Sequence, residues 1–339
     1  MPELTVAVVI VSYRSAELAI ECLRSLLAER ADDGLNIRAV VIDNASGDHA
    51  SIARAVEESG WGSWVTAVLA PRNGGFAYGN NLGIRHALQS GPVDYVYLLN
   101  PDTQLRAGAI ATLVRFLESQ PHIGIAGSSF ENGDGSEWPI SFRFPSLASE
   151  LSQALDFGPL IRLLDRWAVA REMSQTARQQ VDWICGASMM IRMAVFEAIG
   201  GLDEGYFLYF EETDFCLRAR RAGFPTWYVP DSRVMHVGGH STGVTERNTA
   251  AKRLPPYWFD SRRRYFVKAF GTAHAMAIDL VVLLAYPLGW LKRFVLRQRR
   301  QNVPHYYRDF IRGSVLRARN RSFGRLDDPP PLTHSAHSA

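Results

Sequence analysis

Four short apolar runs recur along the first hundred residues, and each of the fully apolar ones closes on polar side chains. They are "TVAVVIVSY" from Thr5, "IRAVVIDNASGD" from Ile37, "WVTAVLA" from Trp64 and "DYVYLLNPDT" from Asp94. Runs this dense in Val and Ile, bounded by turn residues, fit strands covered on both faces, as in a parallel sheet. Between them lie stretches of helical period. After Ser15, which is placed to cap a helix, Leu18, Cys22, Leu26 and Leu27 are expected on one face. Strands alternating with helices predict an α/β fold: a Rossmann-like, mostly parallel central sheet with helices on both faces. In such sheets ligands bind outside the carboxyl ends of the strands, where Asp43, Asn44, Asn100 and Asp102 fall.

Glycines at 75, 79 and 83 are spaced four apart. This marks a helix face pressed closely against a neighbour and does not match G-x-G-x-x-G, so a dehydrogenase loses support. From about 131 to 180 the pattern becomes irregular, with Pro139, Pro145 and Pro159 separating short segments, as expected of loops and small helices over a site. The expected organisation is a catalytic domain over 1–250, with a nucleotide-binding half (1–105) and an acceptor half (106–250). A helical, basic region (251–325) and a disordered tail (326–339) follow.

A net charge of +3 conceals an uneven distribution: 17 Lys or Arg stand against 3 Asp between residues 252 and 325. These cations surround "AMAIDLVVLLAYPLGWL" (275–291), which contains Asp279 and Pro287 and falls short of the roughly 20 residues a spanning helix needs. An interfacial or re-entrant membrane contact, a buried helix and a span all remain open for it. No nucleic-acid motif accompanies the charge. Cys22, Cys185 and Cys216 lie among apolar neighbours with no disulfide or zinc spacing, which points to the reducing cytosol. The opening residues read as a strand, without a basic leader or cleavage site.

The acidic cluster in "YFEETDFCLR", with Glu211, Glu212 and Asp214, is set in an apolar frame. Bare carboxylates are costly there unless they are solvated, paired, metal-bound or catalytic. With Asp43, Asp102 and His236 they form an oxygen and nitrogen set without thiolate, suited to Mn²⁺ or Mg²⁺. Structural alternatives exist for each. Asp43 can serve a turn, Asp102 can cap a helix beginning near Arg106, and His236 or Trp183 can sit in a core. His240 divides between a site loop and the surface.

The segments "VVIVSYRS", "VVIDNASGD", "NGGFAYGNNLGI", "LLNPDT", "GASMMIRMAVFEAIGGLDEGYFLYFEETDFCLR" and "VMHVGGHST" together resemble the family 2 glycosyltransferases. These are inverting enzymes of GT-A fold, and the likeness is to their rhamnosyltransferase-like branch, over roughly residues 5 to 245. The resemblance implies transfer of a sugar from a nucleotide diphosphate donor to a hydroxyl, usually with a divalent metal. It implies that Ser12, Tyr13, Asp43 and Asn44 line the nucleoside pocket, with Arg72 and Asn81 near the nucleotide. Asn100 would face the ribose, Asp102 and His236 the metal, and Trp183, Gly186 and Ala187 the sugar or acceptor. The base position falls on Glu212, with Asp214 and Glu211 as alternatives. Asn100 and Glu212 both depart from the Asp that the family usually carries. The implied donor is dTDP-L-rhamnose, with UDP-hexose, UDP-galactofuranose or GDP-mannose as alternatives. The acceptor would be a glycan or a polyprenyl-diphosphate-linked glycan, reached from an anionic membrane surface at the inner face of the cytoplasmic membrane. The competing classes are a non-catalytic sugar-nucleotide binder and a nucleotidyltransferase; "VSYRSAE" lacks the Gly-rich phosphate loop expected of the latter.

Overall fold

The computed structural model describes residues 3–30, 34–133, 135–138, 140–155, 169–172, 176–236, 252–297 and 303–317. The chain opens with β1 (Leu4–Ser12), α1 (Ala16–Glu29), β2 (Leu35–Asp43), α2 (His49–Glu58), β3 (Val65–Leu69), α3 (Gly75–Gln89) and β4 (Tyr95–Leu99). It continues through β5 (Thr103–Leu105), α4 (Ala109–Ser119) and β6 (Ile125–Glu131) into a series of short elements. These are β7 (Glu137–Trp138), β8 (Ile140–Phe142), α5 (Leu147–Leu155), β9 (Ala170–Glu172) and β10 (Gln179–Val181). Next come β11 (Ser188–Arg192), α6 (Met193–Ile199), α7 (Glu211–Arg221) and β12 (Thr226–His236), and then α8 (Pro256–Phe270), α9 (Thr272–Val295) and α10 (Tyr306–Gly313).

The main sheet runs in the order β10-β12-β6-β11-β4-β1-β2-β3. Its first half is parallel as expected, with β1 between β2 and β4 and with β3 outside β2. The second half is mixed, because β11 runs antiparallel between β4 and β6. Ser188 opens β11 opposite Leu99, where β4 ends. The excursion after β6 therefore returns on the carboxyl rim, and β11 crosses back from there. Alternation along β1 sends Val6, Val8 and Ile10 to one apolar layer with Cys22 and Leu113, and Ala7 and Val9 to the other with Ile84, Phe196 and Phe215.

Gly79 and Gly83 allow α3 to press on β1. A Cβ at either would stand 2.6 Å from Val11 Cγ1 or 2.4 Å from Val9 Cγ1, respectively. The buried face of α1 is Ala19, Cys22, Leu23 and Leu26, while Leu27 is exposed; the true stripe is rotated by about one residue from the expected one. Ser15 also departs from expectation. Its side chain makes no cap, and its Oγ lies 3.0 Å from Ser12 Oγ while Asp48 Oδ2 accepts the Ala16 N–H at 3.2 Å.

The expected division near residue 250 is not a division of the core. Tyr206, from the loop before α7, packs in one apolar cluster with Tyr265 and Phe266 of α8 and Ile278 of α9. Arg262 of α8 pairs with Glu150 of α5 at 2.6 Å and with Asp279 of α9 at 2.7 Å, all three largely buried. The tail at 326–339 lies outside the described residues.

Candidate active site

The carboxyl rim gathers residues from distant parts of the chain. Ser12 ends β1 directly opposite Asp43 at the end of β2, and Asn100 follows β4 on the other side of β1. Asp43 is buried, and its two oxygens accept hydrogen bonds from Ser46 N–H (3.0 Å), Ser46 Oγ–H (2.6 Å) and His49 N–H (3.0 Å). The turn role is thus realised, and it fixes the direction of the carboxylate. Asn44 organises the next loop, donating to Asn73 Oδ1 and to the Gly75 carbonyl, each at 3.1 Å. Gly75 has φ of +85°, and a Cβ there would lie 1.8 Å from the Phe207 carbonyl oxygen, so only glycine lets the two loops meet. Tyr13 stands exposed at the rim with the Arg14 guanidinium 5.3 Å from its ring centre, and Arg72, also exposed, covers Tyr78 at 4.5 Å.

Asn81 is not placed to reach a nucleotide. Its amide donates to the Leu202 carbonyl (2.8 Å) and Glu204 Oε1 (3.0 Å), while its oxygen accepts the Leu202 N–H (2.9 Å). With both ends of the amide engaged, it holds the loop that precedes α7.

Asp102 and His236 meet although 134 positions separate them. Strand β5 pairs antiparallel with the end of β12, setting Thr103 opposite His236, so that His236 Nε2 lies 3.3 Å from Asp102 Oδ1. Asp102 does not cap a helix: α4 starts at Ala109, and Glu29 accepts the Gly108 and Ile110 N–H groups at 2.6 and 2.7 Å. Two ligands on adjacent positions of a hard divalent ion, each about 2.1 Å from it, stand about 3 Å apart, so this pair fits Mg²⁺ or Mn²⁺. Among the described residues no third His, Cys, Asp or Glu completes a cluster. Such ions commonly fill their remaining positions with water and phosphate oxygens. His240 lies outside the described residues.

Glu211 and Glu212 open α7 after Tyr209 and Phe210, both in left-handed backbone at φ of 70° and 68°. Non-glycine residues persist there only when their surroundings hold them, and such residues gather at functional sites. Burial raises the Glu211 carboxyl well above the ordinary range, the neighbouring charge of Glu212 raises it further, and its own N–H and that of Tyr209 partly oppose this. Burial raises Glu212 to about 7 against hydrogen bonds from its own N–H and from the Gly186 N–H. Glu211 is buried whereas Glu212 is half-buried, yet Oε2 of each is shut off from solvent without a hydrogen-bond partner. Cys185 feels the charge of these acids and of Asp102; it was missed as a site residue because a lone thiol carries no motif. Its thiol is pushed up to about 12 by burial, with Glu212, Asp102 and Glu211 adding to the rise against a hydrogen bond from the Ala187 N–H, which leaves it inert.

Asp214 faces the other way. It accepts from Arg218 Nε at 2.8 Å and Lys268 Nζ at 3.2 Å, all three buried, so it is withdrawn as a candidate base. Lys268 also reaches Asp203 at 3.0 Å, and Arg264 binds Asp203 through Nε at 3.0 Å and Nη2 at 2.8 Å. Ser261 Oγ donates to the Leu208 carbonyl at 2.9 Å. Helix α8 thus holds the whole 203–210 loop. Trp183 stacks on Phe142, with ring centres 4.1 Å apart, and donates its indole N–H to the Arg143 carbonyl at 3.0 Å. Ala187, buried in the other apolar layer, accepts the Asn100 N–H at 3.1 Å through its carbonyl.

Comparison with known proteins identifies the class. A family model described as glycosyltransferase like family 2 matches residues 2–253. The chain belongs to this glycosyltransferase family. It is 34% identical over 152 residues to the N-acetylglucosaminyl-diphospho-decaprenol L-rhamnosyltransferase of Mycobacterium tuberculosis, a match covering 44% of this chain and 49% of that protein. It is 27% identical over 169 residues to rhamnosyltransferase WbbL of Escherichia coli, covering 49% of this chain and 62% of the relative. The matches thus span about half the length of these relatives. The fold is that of the mannosyltransferase PcManGT from Pyrobaculum calidifontis, solved with GDP-Man and Mn²⁺, at a TM-score of 0.51 and 16% identity over 88% of this chain and 76% of that one. The mixed sheet with its rim of loops is accordingly a GT-A glycosyltransferase fold. The matched segment ends at 253, so α8, which clamps the loop before α7, lies beyond it.

Removing one partner of a buried charge cluster costs about 3–5 kcal/mol. Arg264→Met, which leaves Asp203 to Lys268 alone, is expected to lower the thermal unfolding midpoint by several degrees and to reduce turnover more than donor binding. An unchanged midpoint by differential scanning calorimetry would remove the clamp from the account.

Proposed function

We propose that the chain is an inverting, metal-dependent glycosyltransferase that moves L-rhamnose from dTDP-L-rhamnose to a hydroxyl of a lipid-linked glycan at the inner face of the cytoplasmic membrane. The observation that carries this reading is a half-buried carboxyl of raised pKa, Glu212, at the start of α7, with one oxygen shut off from solvent and unpartnered, together with the Asp102–His236 pair; Glu212 and Asp102 both act on the Cys185 thiol. Both relatives named above are rhamnosyltransferases, and the name of the mycobacterial one specifies a diphospho-decaprenol acceptor.

In the proposed step the acceptor oxygen attacks the anomeric carbon from the face opposite the nucleotide. The bond from that carbon to the diphosphate oxygen breaks, the diphosphate leaves with the electron pair, and the acceptor proton passes to Glu212. Asp102 and His236 would hold the divalent ion, which offsets charge on the departing diphosphate. Asp43 and Asn44 shape the nucleoside pocket beside Ser12 and Tyr13. Arg72 stands at its mouth, Asn100 beside the ribose, and Trp183 with Gly186 forms the sugar wall. Gly186 also orients the base through its N–H. Glu211 is too buried to meet an acceptor. Its own carboxyl is raised by burial and by the Glu212 charge, so it stands behind the base as a positioning residue.

General bases contribute about 10²–10⁴-fold to rate. Glu212→Gln is therefore expected to lower kcat by at least about 100-fold while donor affinity, measured by calorimetry, stays within a factor of a few. Near wild-type turnover would sink the assignment. Because the carboxyl is raised to about 7, it is protonated and idle below neutrality. In a pH series kcat/KM should climb through pH 6–8, whereas a plateau already reached at pH 5 would show that the base is an ordinary exposed carboxylate.

A further inference from the structure

Helix α9 spans 24 residues, Thr272–Val295, with a mean hydropathy of 1.6 over its most apolar window. At 1.5 Å per residue it is about 36 Å long, enough to cross a bilayer by length alone. Its packing excludes that use. One face is buried in the protein through Ala275, Ile278, Val282, Ala285 and Gly289. Gly289 admits α5 so closely that a Cβ would lie 2.4 Å from the Ala154 carbonyl oxygen. Asp279, the acid inside the apolar run, faces inward and binds Arg262 Nη1 at 2.7 Å and the Val315 N–H at 2.6 Å. Pro287 leaves the helix straight enough to continue. The Leu283 carbonyl, which loses its helical donor to the proline, accepts the Tyr307 hydroxyl at 2.9 Å.

The opposite face is apolar and open. Met276, Leu280, Leu284 and Leu288 follow in steps of four, and Leu284 and Leu288 are 64% and 60% exposed. Beyond them Trp290 stacks on Phe294 at 5.7 Å, both more than half exposed. Lys292 and the exposed Arg297 stand at this end. A continuous apolar ridge of this size on a soluble surface marks an interface. Tryptophan and basic residues at its end fit the headgroup zone of a bilayer.

We infer that α9 lies flat in the surface of an anionic membrane, its ridge sunk among the acyl chains and Lys292 and Arg297 among the headgroups. The occupant is taken as lipid because the apolar ridge ends in Trp290 and basic residues, the sequence of side chains that suits an acyl region bordered by anionic headgroups. In-plane docking follows from the buried inner face, since a span would have to strip α9 from α5 and α8. The inference rests in part on the proposal of a lipid-linked acceptor, but it requires no donor and no turnover.

The full-length protein would be floated with phosphatidylcholine vesicles containing or lacking phosphatidylglycerol. Wild type is expected to rise with the anionic vesicles, and Leu284→Glu with Leu288→Glu to reduce the floated fraction at least five-fold. Lys292→Glu with Arg297→Glu should reduce it on anionic vesicles only. The thermal midpoint of the Leu variant should stay close to wild type, because Leu284 and Leu288 lie on the exposed outer face. Equal flotation of the Leu variant and wild type would overturn the inference. So would wild type that stays at the bottom and sediments as a dimer that the Leu variant abolishes, which would make the ridge a contact between copies. Protein resisting extraction by alkaline carbonate would overturn the in-plane orientation. Donor binding by the Leu variant, measured separately, tells failure of docking from failure of the glycosyltransferase reading.

Discussion

Asp203 and Asp214 are withdrawn from water behind the loop that leads into α7, and three cations, Arg218, Arg264 and Lys268, compensate them there. Burial alone would raise the Asp203 carboxyl, but Arg264 and Lys268 outweigh it and hold the group below the ordinary carboxylate range. By linkage, this stabilisation is present above the usual aspartate pKa and is lost as pH falls through the lowered one. Two of the three cations come from α8, so the loop carrying the left-handed Tyr209 and Phe210, and hence the direction of Glu212, depends on a helix outside the matched family segment. The desolvation cost of such a cluster means that its worth lies less in net stability than in fixing one arrangement of the loop.

The two glutamates at the start of α7 present the reverse case. Among the described residues no ion pair engages Glu211 or Glu212; burial drives both carboxyls up, and the Glu212 charge raises Glu211 further. The same short helix therefore holds Asp214, paired with Arg218 and Lys268, two residues beyond a carboxyl kept ready to bind a proton. Environment rather than residue type separates a positioning group from a base, as expected where acid–base roles are divided between like side chains. Asp102 of the Asp102–His236 pair acts on the same Cys185 thiol as the two glutamates, and the Asn100 N–H bond to the Ala187 carbonyl ties the end of β4 to the segment before β11.

Much of this was legible in the sequence. The strands announced themselves as unbroken Val and Ile runs because a parallel sheet buries both faces, and the polar residues after β1, β2 and β4 marked the rim. Glycines 79 and 83 foretold the close approach of α3 to β1. What escaped was direction and pairing. Asn81 shares a motif with rim residues, yet it points to Leu202, and a motif gives position without orientation. The cations of 252–325 read as one basic surface, whereas Arg262, Arg263 and Arg264 are all buried and engaged with Glu150, Asp279, Asp260, Gly313 and Asp203. Charge runs reveal nothing of partners that lie 60 or 110 positions away. Asp279 misled for the same reason: it appeared to interrupt an apolar run, but it lies on the inner face and leaves the outer one apolar.

The most direct test is a calorimetric titration of the full-length protein with dTDP-L-rhamnose, with UDP-glucose, UDP-galactose and GDP-mannose as competitors of the same chemistry. Each would be run with Mn²⁺ and with chelator, for wild type and for Asp102→Asn. The account predicts binding that is selective for the dTDP sugar, that weakens at least ten-fold on chelation, and that loses this metal dependence in the Asp102 variant. Selective binding of another nucleotide sugar would contradict the rhamnose assignment, and no binding of any donor under either condition would contradict the transferase itself.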